Sequence, residues 1–213
     1  MYEYNQQTIT IQALQRMPYY VQQLRTMQEN KIQTVSAPRI AELLNLNEVQ
    51  VRKDFAAVYT TKGKPKTGFM VTELLHNMED LLGYHNINEA VIVGSSHLSQ
   101  AIISDERLKG LGLKIVAAFD FGLEEAEKEI NGIKILPLDK ISNLCRRMNI
   151  HIGIIADTGF QAQVVCDQLV AGGIIAIWNF TEEHLSVPDY VKVKDENFTA
   201  SYAILTNHLK RNL

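Results

Sequence analysis

The chain has 213 residues, of which 46% are hydrophobic and 21% charged, with a net charge of -3 at neutral pH. That length suits one large domain or two small ones, and the composition is ordinary for a globular protein. The longest apolar runs are too short to cross a bilayer, which excludes a helical membrane protein, and the overall charge does not point to a polyanion partner.

The distribution of charge says more. Arg52, Lys53, Lys62, Lys64 and Lys66 face only Asp54 in their stretch, a basic cluster on a mildly acidic chain. Cys145 and Cys166 lack metal-ligand spacing and read as free thiols. The start, Met1-Tyr2-Glu3, lacks the basic and apolar segments of a targeting signal, so a cytoplasmic protein is expected.

In chain order, residues 1–9 are polar and expected to fray. From Thr10 to Asn30, Ile11, Leu14, Met17, Val21, Leu24 and Met27 recur at helical spacing. Pro18 lies inside that pattern and is expected either to kink the helix or to mark where its main part starts. Ser36 is a good N-cap for a second helix that carries Pro38 early and runs to Leu44. Asn45-Leu46-Asn47 makes a tight turn, and Asn47 can cap a third helix from Glu48 to about Tyr59. Two short helices joined by three residues, the second bearing Gln50, Arg52 and Lys53, match a helix-turn-helix, or any small three-helix bundle. The stretch from Thr60 to Phe69 interleaves Lys62, Lys64 and Lys66 with glycine and proline. After a recognition helix it reads as a wing that reaches phosphates or the minor groove; on its own it is a solvated loop. Val71 to Leu82 is a further amphipathic helix closed by Gly83, and the polar segment 84–88 is the expected domain boundary.

Beyond it, strands and helices alternate. Ala90 to Val93 is a strand, followed by the turn Gly94-Ser95-Ser96-His97, a helical pattern through Leu98, Ala101, Ile102 and Leu108, and a second strand from Ile115 to Phe119 that ends on Asp120. Strand, glycine turn, helix, strand and terminal acid form the first unit of a dinucleotide-binding fold. Of the pattern G-x-G-x-x-G only Gly94 is present; Ser96 and Ser99 stand at the second and third positions. Glu124 to Glu129 reads as a charged helical turn, Asn131-Gly132 as a turn, Ile133 to Leu136 as a strand and Leu138 to Met148 as a helix. Ile152 to Ala156 is a buried strand, Phe160 to Ala171 a helix, Ile174 to Trp178 a strand, Val191 to Val193 the last strand, and Thr199 to about Lys210 a closing helix. This alternation predicts an α/β domain with a mostly parallel sheet and helices on both faces.

The whole chain resembles the Rex family of bacterial redox-sensing transcriptional repressors. Gln50-Val51-Arg52-Lys53-Asp54-Phe55 is similar to that family's recognition helix, and Gly63-Lys64-Pro65 with Thr67-Gly68-Phe69 to its wing. Val116 to Asp120, Asn179-Phe180 and Leu185-Ser186-Val187-Pro188 are similar to its sheet segments, in the same order. The resemblance implies a winged helix-turn-helix domain (1–85), a Rossmann-like NAD(H)-binding domain (86–196) and a C-terminal dimerisation helix (197–213) that swaps between subunits. It implies a homodimer on a palindromic operator in double-stranded DNA, closed and released by NADH. Gln50, Arg52, Lys53, Lys62, Lys64 and Lys66 are then the expected DNA contacts. Gly94, Ser95, Ser96, His97, Leu98, Ser99 and Asp120 are the expected cofactor contacts, with Asp120 favouring NAD(H) over NADP(H).

The sequence departs from the family at several positions. Asp105 stands where the family has a tyrosine, Asn197 where it has an aspartate, and Gln22 where it has that aspartate's arginine partner; all three fall on the redox-linked network. Ala156-Asp157-Thr158-Gly159 replaces a Thr-Val-Pro segment, and Asp157 is either solvated or repels a phosphate. Two other readings follow: a Rex-like paralogue that binds DNA but has lost NADH sensing or senses another nucleotide, and an NAD-dependent oxidoreductase. Against the enzyme stand the missing substrate domain, the lack of a Tyr-x-x-x-Lys pair and the lack of a histidine with an acid partner in sequence.

Overall fold

The computed structural model describes residues 9–59, 68–122, 128–157 and 161–212. The chain divides into two compact units, Met1–Asn86 and Ile87–Leu213.

The first unit is built on α1 (Ile11–Glu29), capped by the Thr10 hydroxyl, which accepts a hydrogen bond from the backbone N–H of Ala13. Its core face is Ala13, Met17, Tyr20, Val21, Leu24 and Met27. Ile11 and Leu14, expected in that face, are exposed instead, since Ala13 and Met17 form the start of the buried stripe. The helix continues through Pro18 rather than starting there. Proline removes one intrahelical bond, but Pro18 is on the exposed face. After β1 (Thr34–Val35) come α2 (Ala37–Leu44), capped by Ser36, and α3 (Glu48–Val58), capped by Asn47. Asn45 takes the left-handed conformation that stops α2, with φ 51°. The short strand β2 (Phe69–Met70) pairs antiparallel with β1, and α4 (Val71–Leu82) packs back on α1. Gly68 is required here, since its φ is +77° and a Cβ would lie 2.7 Å from the carbonyl oxygen of Val35. Residues 60–67 of the expected wing, with Lys62, Lys64 and Lys66, lie outside the described residues, as do residues 1–8 of the expected frayed start; the last residue of the wing, Phe69, lies in β2.

The second unit is a seven-stranded sheet. It contains β3 (Asn88–Val93), β4 (Leu113–Asp120), β5 (Lys128–Ile130), β6 (Ile133–Pro137), β7 (Ile152–Ile155), β8 (Ala176–Asn179) and β9 (Lys192–Asp195). Their spatial order is β5-β6-β4-β3-β7-β8-β9, parallel except for β5 at one edge. The parallel part is a doubly wound sheet whose connections diverge to either side between β3 and β7. The helical turn expected from Glu124 to Glu129 is overturned: Lys128–Ile130 is an edge strand, and residues 123–127 lie outside the described ones. Asn131 and Gly132, at φ 48° and 79°, form the tight hairpin turn that joins it to β6, a geometry whose twist suits paired strands.

Helices α5 (His97–Ser104), α6 (Glu106–Gly110), α7 (Ile141–Met148) and α8 (Ala162–Ala171) link the strands, with one turn of 3-10 helix, Leu138–Lys140, before α7. Two apolar clusters on opposite faces hold the sheet: Val91, Val93 and Phe119 pack with α7 and α8, and Ile92 and Ile154 pack with α5. Cys145 and Cys166 are free and fully buried, and burial pushes both thiols up to about 11, leaving them inert. The last helix, α9 (Phe198–Asn212), buries none of its residues.

Candidate functional site

Two places carry the candidate residues, one in each unit. In the first, α3 turns Val49, Arg52, Lys53 and Ala56 outward, residues spaced to form one helix face. Val51, Phe55 and Val58 face inward, where Phe55 meets Tyr20 and Phe69 edge to face, with ring centroids 5.4 and 5.2 Å apart. Phe69 also meets Tyr59 at 5.1 Å, so one aromatic chain ties α1, α3 and β2 together.

Asp54 does not balance the surface cations as its place in the sequence suggests. It is buried, at 4% exposure, and accepts hydrogen bonds from Arg16 Nε (2.8 Å), Arg16 Nη2 (3.0 Å), Tyr20 Oη (2.8 Å) and Gln50 Nε2 (3.2 Å). Burial pushes the Asp54 carboxyl up, but hydrogen bonds from Arg16, Tyr20 and Gln50 outweigh it and hold the group below its ordinary value. Burial, then Asp54, push the Tyr20 phenol up to about 12. Gln50 is therefore occupied at Asp54, whereas Lys53 is exposed. Arg52 is also exposed and paired with Glu48 one turn back. An exposed pair of this kind is worth only about 0.3–0.5 kcal/mol, so Arg52 can exchange it for another anion. Val49, at 57% exposure, is the member of this face that sequence reasoning missed; an apolar residue outward on a capped helix was the available signal.

The second place is the end of the sheet where β3, β4 and β7 finish. Gly94 has φ +105°, and a Cβ there would lie 2.2 Å from the carbonyl oxygen of Asp157. Only glycine lets the β3 turn pass the β7 loop. Ser95 donates a hydrogen bond to Asp120 Oδ2, and Asp120 Oδ1 accepts from the backbone N–H of Phe121 at 2.8 Å. Gly94, Ser95 and Asp120 thus meet at the divergence point of the sheet, where α/β folds bind ligands. Ser96 stands at the N-cap position of α5 but makes no side-chain cap, and its hydroxyl is buried without a partner. Ser99 is fully buried, and its hydroxyl is also unpaired. A buried hydroxyl left unpaired costs about 1–3 kcal/mol. His97 is exposed, Leu98 joins the apolar cluster beneath α5, and Asp157 is exposed beside Gly94.

The remaining sequence-derived positions have local structural roles. Asp105 caps α6 and is held at about 2 by hydrogen bonds from Arg107. It lies at the far end of α5, about 12 Å from the glycine turn by helix rise. Asn197 accepts a hydrogen bond from the backbone N–H of Ala200 at 2.8 Å and so caps α9. Gln22 is exposed on α1. An apolar cavity of about 320 Å³ lies under Ile102, Leu108, Leu113 and Ile133, at the opposite ends of the strands from Gly94 and Asp120.

Comparison with known proteins bears on both places. Residues 8–56 match a family model described as a putative DNA-binding protein N-terminus, and residues 85–183 match one described as a CoA binding domain. The chain is 32% identical to the redox-sensing transcriptional repressor Rex of Porphyromonas gingivalis, over 93% of this chain and 90% of that protein. It is 34% identical to the corresponding repressor of Carboxydothermus hydrogenoformans, over 94% of this chain and 96% of that one. Among solved structures it matches RSP, a Rex-family repressor, in complex with β-NAD+ and operator DNA, with a TM-score of 0.90 and 25% identity over 97% of this chain and 95% of that one. RSP in complex with β-NADH matches with a TM-score of 0.83 over 97% of each chain, also at 25% identity.

Proposed function

We propose, since this chain belongs to the Rex family of redox-sensing transcriptional repressors, that it represses transcription by holding operator DNA and releases that DNA when NADH binds its sheet domain. The observation that carries the DNA half is α3: its outward face is fixed from within by Asp54 and the aromatic chain, while Arg52 and Lys53 stand in solvent. Arginine or lysine pairs with guanine in the major groove, and the methyls of Val49 suit a thymine methyl. Gln50 reaches a base only by leaving Asp54. Lys62, Lys64 and Lys66 are the cations assigned to phosphates or the minor groove.

The residues at the sheet's divergence point fit NAD(H). The unpaired hydroxyl of Ser96 sits at the N-terminus of α5, where the dipole and free N–H groups favour a diphosphate. Serine at this position keeps the backbone further from the ligand than glycine does, and supplies a donor in exchange. Asp120 is placed for the adenosine ribose, which must share or displace the Ser95 contact, and its charge disfavours a 2′-phosphate. His97 and Leu98 flank the same turn. Gly94 and Asp120, with the hydroxyl that Ser96 supplies, favour NAD(H) sensing over a paralogue that has lost it.

The acting species is a homodimer with α9 as its joint. Phe198, Tyr202, Leu205 and Leu209 form a stripe at helical spacing and are all exposed, which a second copy would cover. A dimer sets two α3 helices at a fixed separation, so a ligand that changes the separation removes affinity without touching DNA. A complete switch requires NADH to favour the released state by about 10⁴-fold. The role is regulatory rather than catalytic, in the compartment that holds the DNA. Asp105, Gln22 and Asn197, in place of the family's tyrosine and charged pair, are the substitutions that set the strength of that coupling.

Selection from a random DNA pool tests the DNA half. The expected product is a palindrome, with half-sites spaced by about one helical turn. Changing Lys64 and Lys66 to alanine should reduce the salt slope of binding by nearly one unit for each phosphate no longer neutralised. Recovery of no preferred sequence contradicts the assignment of α3, and an unchanged salt slope contradicts that of the wing.

A further inference from the structure

We infer that His76, Asp80 and His85 form a binding site for a divalent transition-metal ion, with zinc the best fit. The cluster sits at the C-terminal end of α4 in the first unit, apart from the outward face of α3. His76 and Asp80 are one turn apart on α4, so both side chains leave the same face. Gly83 then ends the helix in the left-handed conformation, at φ 72°, and the chain turns back to bring His85 beside them. His76 Nε2 lies 3.3 Å from Asp80 Oδ2, and His85 Nε2 lies 3.5 Å from Asp80 Oδ1. The two imidazole rings are 5.5 Å apart, and one ligand atom from each of the three residues lies within 4.8 Å of the others.

These separations are informative. Charge-assisted hydrogen bonds between such groups run at about 2.7–2.9 Å. Ligand atoms about 2.0–2.1 Å from a tetrahedral zinc ion lie about 3.4 Å from each other. Each histidine meets Asp80 near that spacing, at a different carboxylate oxygen, and a small rotation of these exposed side chains would gather one atom from each round a single ion. Two imidazoles with one carboxylate are a donor set that suits zinc, nickel or copper rather than magnesium or calcium, which take oxygen ligands. A second carboxylate, Glu79 Oε2, lies 3.7 Å from His85 Nε2. Arg25 on α1 holds the other oxygen, with Nε at 2.8 Å and Nη2 at 2.6 Å from Glu79 Oε1. Arg25 thus neutralises Glu79 and fixes it, leaving Asp80 as the anionic ligand and water for the fourth position. All three ligands are exposed, so the ion has an entry path. An ion bound there would fasten the end of α4 to residue 85. The buried thiols of Cys145 and Cys166, raised to about 11, do not compete for it.

Calorimetric titration of the metal-free full chain with zinc chloride tests the site, alongside the His76→Asn/His85→Asn double variant and a magnesium control. The expected result is one zinc per chain at micromolar affinity, at least about tenfold weaker in the double variant, with no magnesium binding. Since both histidines are exposed, the variant should keep its far-ultraviolet circular dichroism. Imidazole NMR gives a second readout: zinc should move the signals of His76 and His85 and leave those of His97, His151, His184 and His208 in place. Zinc binding of equal strength in the double variant, no binding at millimolar zinc, or shifts at other histidines would each overturn the assignment.

Discussion

The two candidate places handle buried polar groups in opposite ways. Behind α3, one carboxylate accepts four hydrogen bonds and stays charged in a nearly dry site. Around the glycine turn, the hydroxyls of Ser96 and Ser99 are buried and have no partner. The first arrangement is complete in the protein alone, so the outward face of α3 is set without any ligand. The second leaves Ser96 unpaired at a helix N-terminus, a site that a diphosphate would complete. Affinity for DNA needs a rigid surface, and a sensor needs a place whose energy changes when its ligand arrives.

The largest expected effect is on the complete side. Replacing Asp54 with alanine strands the Arg16 guanidinium and the Tyr20 hydroxyl. Breaking a buried pair costs about 3–5 kcal/mol, and since Arg16 keeps a fifth of its surface in water the loss belongs near 3. Denaturant unfolding of the variant measures it, and a loss below about 1 kcal/mol would remove the contrast. The same network sets a pH dependence. Asp54 has a lowered value in the folded state, so its contribution is present above the ordinary carboxylate range and is lost as pH falls through the lowered folded value. Tyr20, raised to about 12, contributes below pH 10 and loses that contribution as pH rises from about 10 to 12. The wild-type and Asp54→Ala chains should therefore converge in stability at the acid end, and their difference should only narrow at the alkaline end, where the Arg16–Asp54 pair persists.

The serines give a smaller effect of the opposite sign. Ser99→Ala removes an unpaired buried hydroxyl and should stabilise the protein by about 1 kcal/mol, read as a higher unfolding midpoint. Ser96→Ala should stabilise the free protein similarly and weaken NADH binding, because the ligand loses its donor. A stabilised Ser96→Ala chain with unchanged NADH affinity would leave the hydroxyl without a function.

Much of the fold was legible in the sequence because its signals are local. Ser36, Asn47 and Gly83 mark helix ends through backbone groups a few residues away, and the alternation of strand and helix follows from hydrophobic period. What was hidden depends on contacts distant in sequence. The strands β1 and β2 have two residues each, too few to show a period. Lys128-Glu129-Ile130 looks helical by composition but is stabilised as an edge strand by pairing with β6. Asp54 looked like a surface counter-charge, since nothing nearby in sequence reveals Arg16 and Tyr20, 38 and 34 residues away. Gly94 was legible as a turn, but not its passage against Asp157. The serines were visible as departures from a pattern, whereas their unpaired hydroxyls appear only in three dimensions.

The most direct measurement is DNA occupancy of the purified full chain on its selected operator, titrated with NADH and, in parallel, with NAD+. NADH is expected to release the DNA over the same concentration range in which it binds, and NAD+ to bind without releasing it. DNA that stays bound while NADH saturates the protein would contradict the proposed coupling, and failure of NADH to bind at all would contradict the reading of the glycine turn.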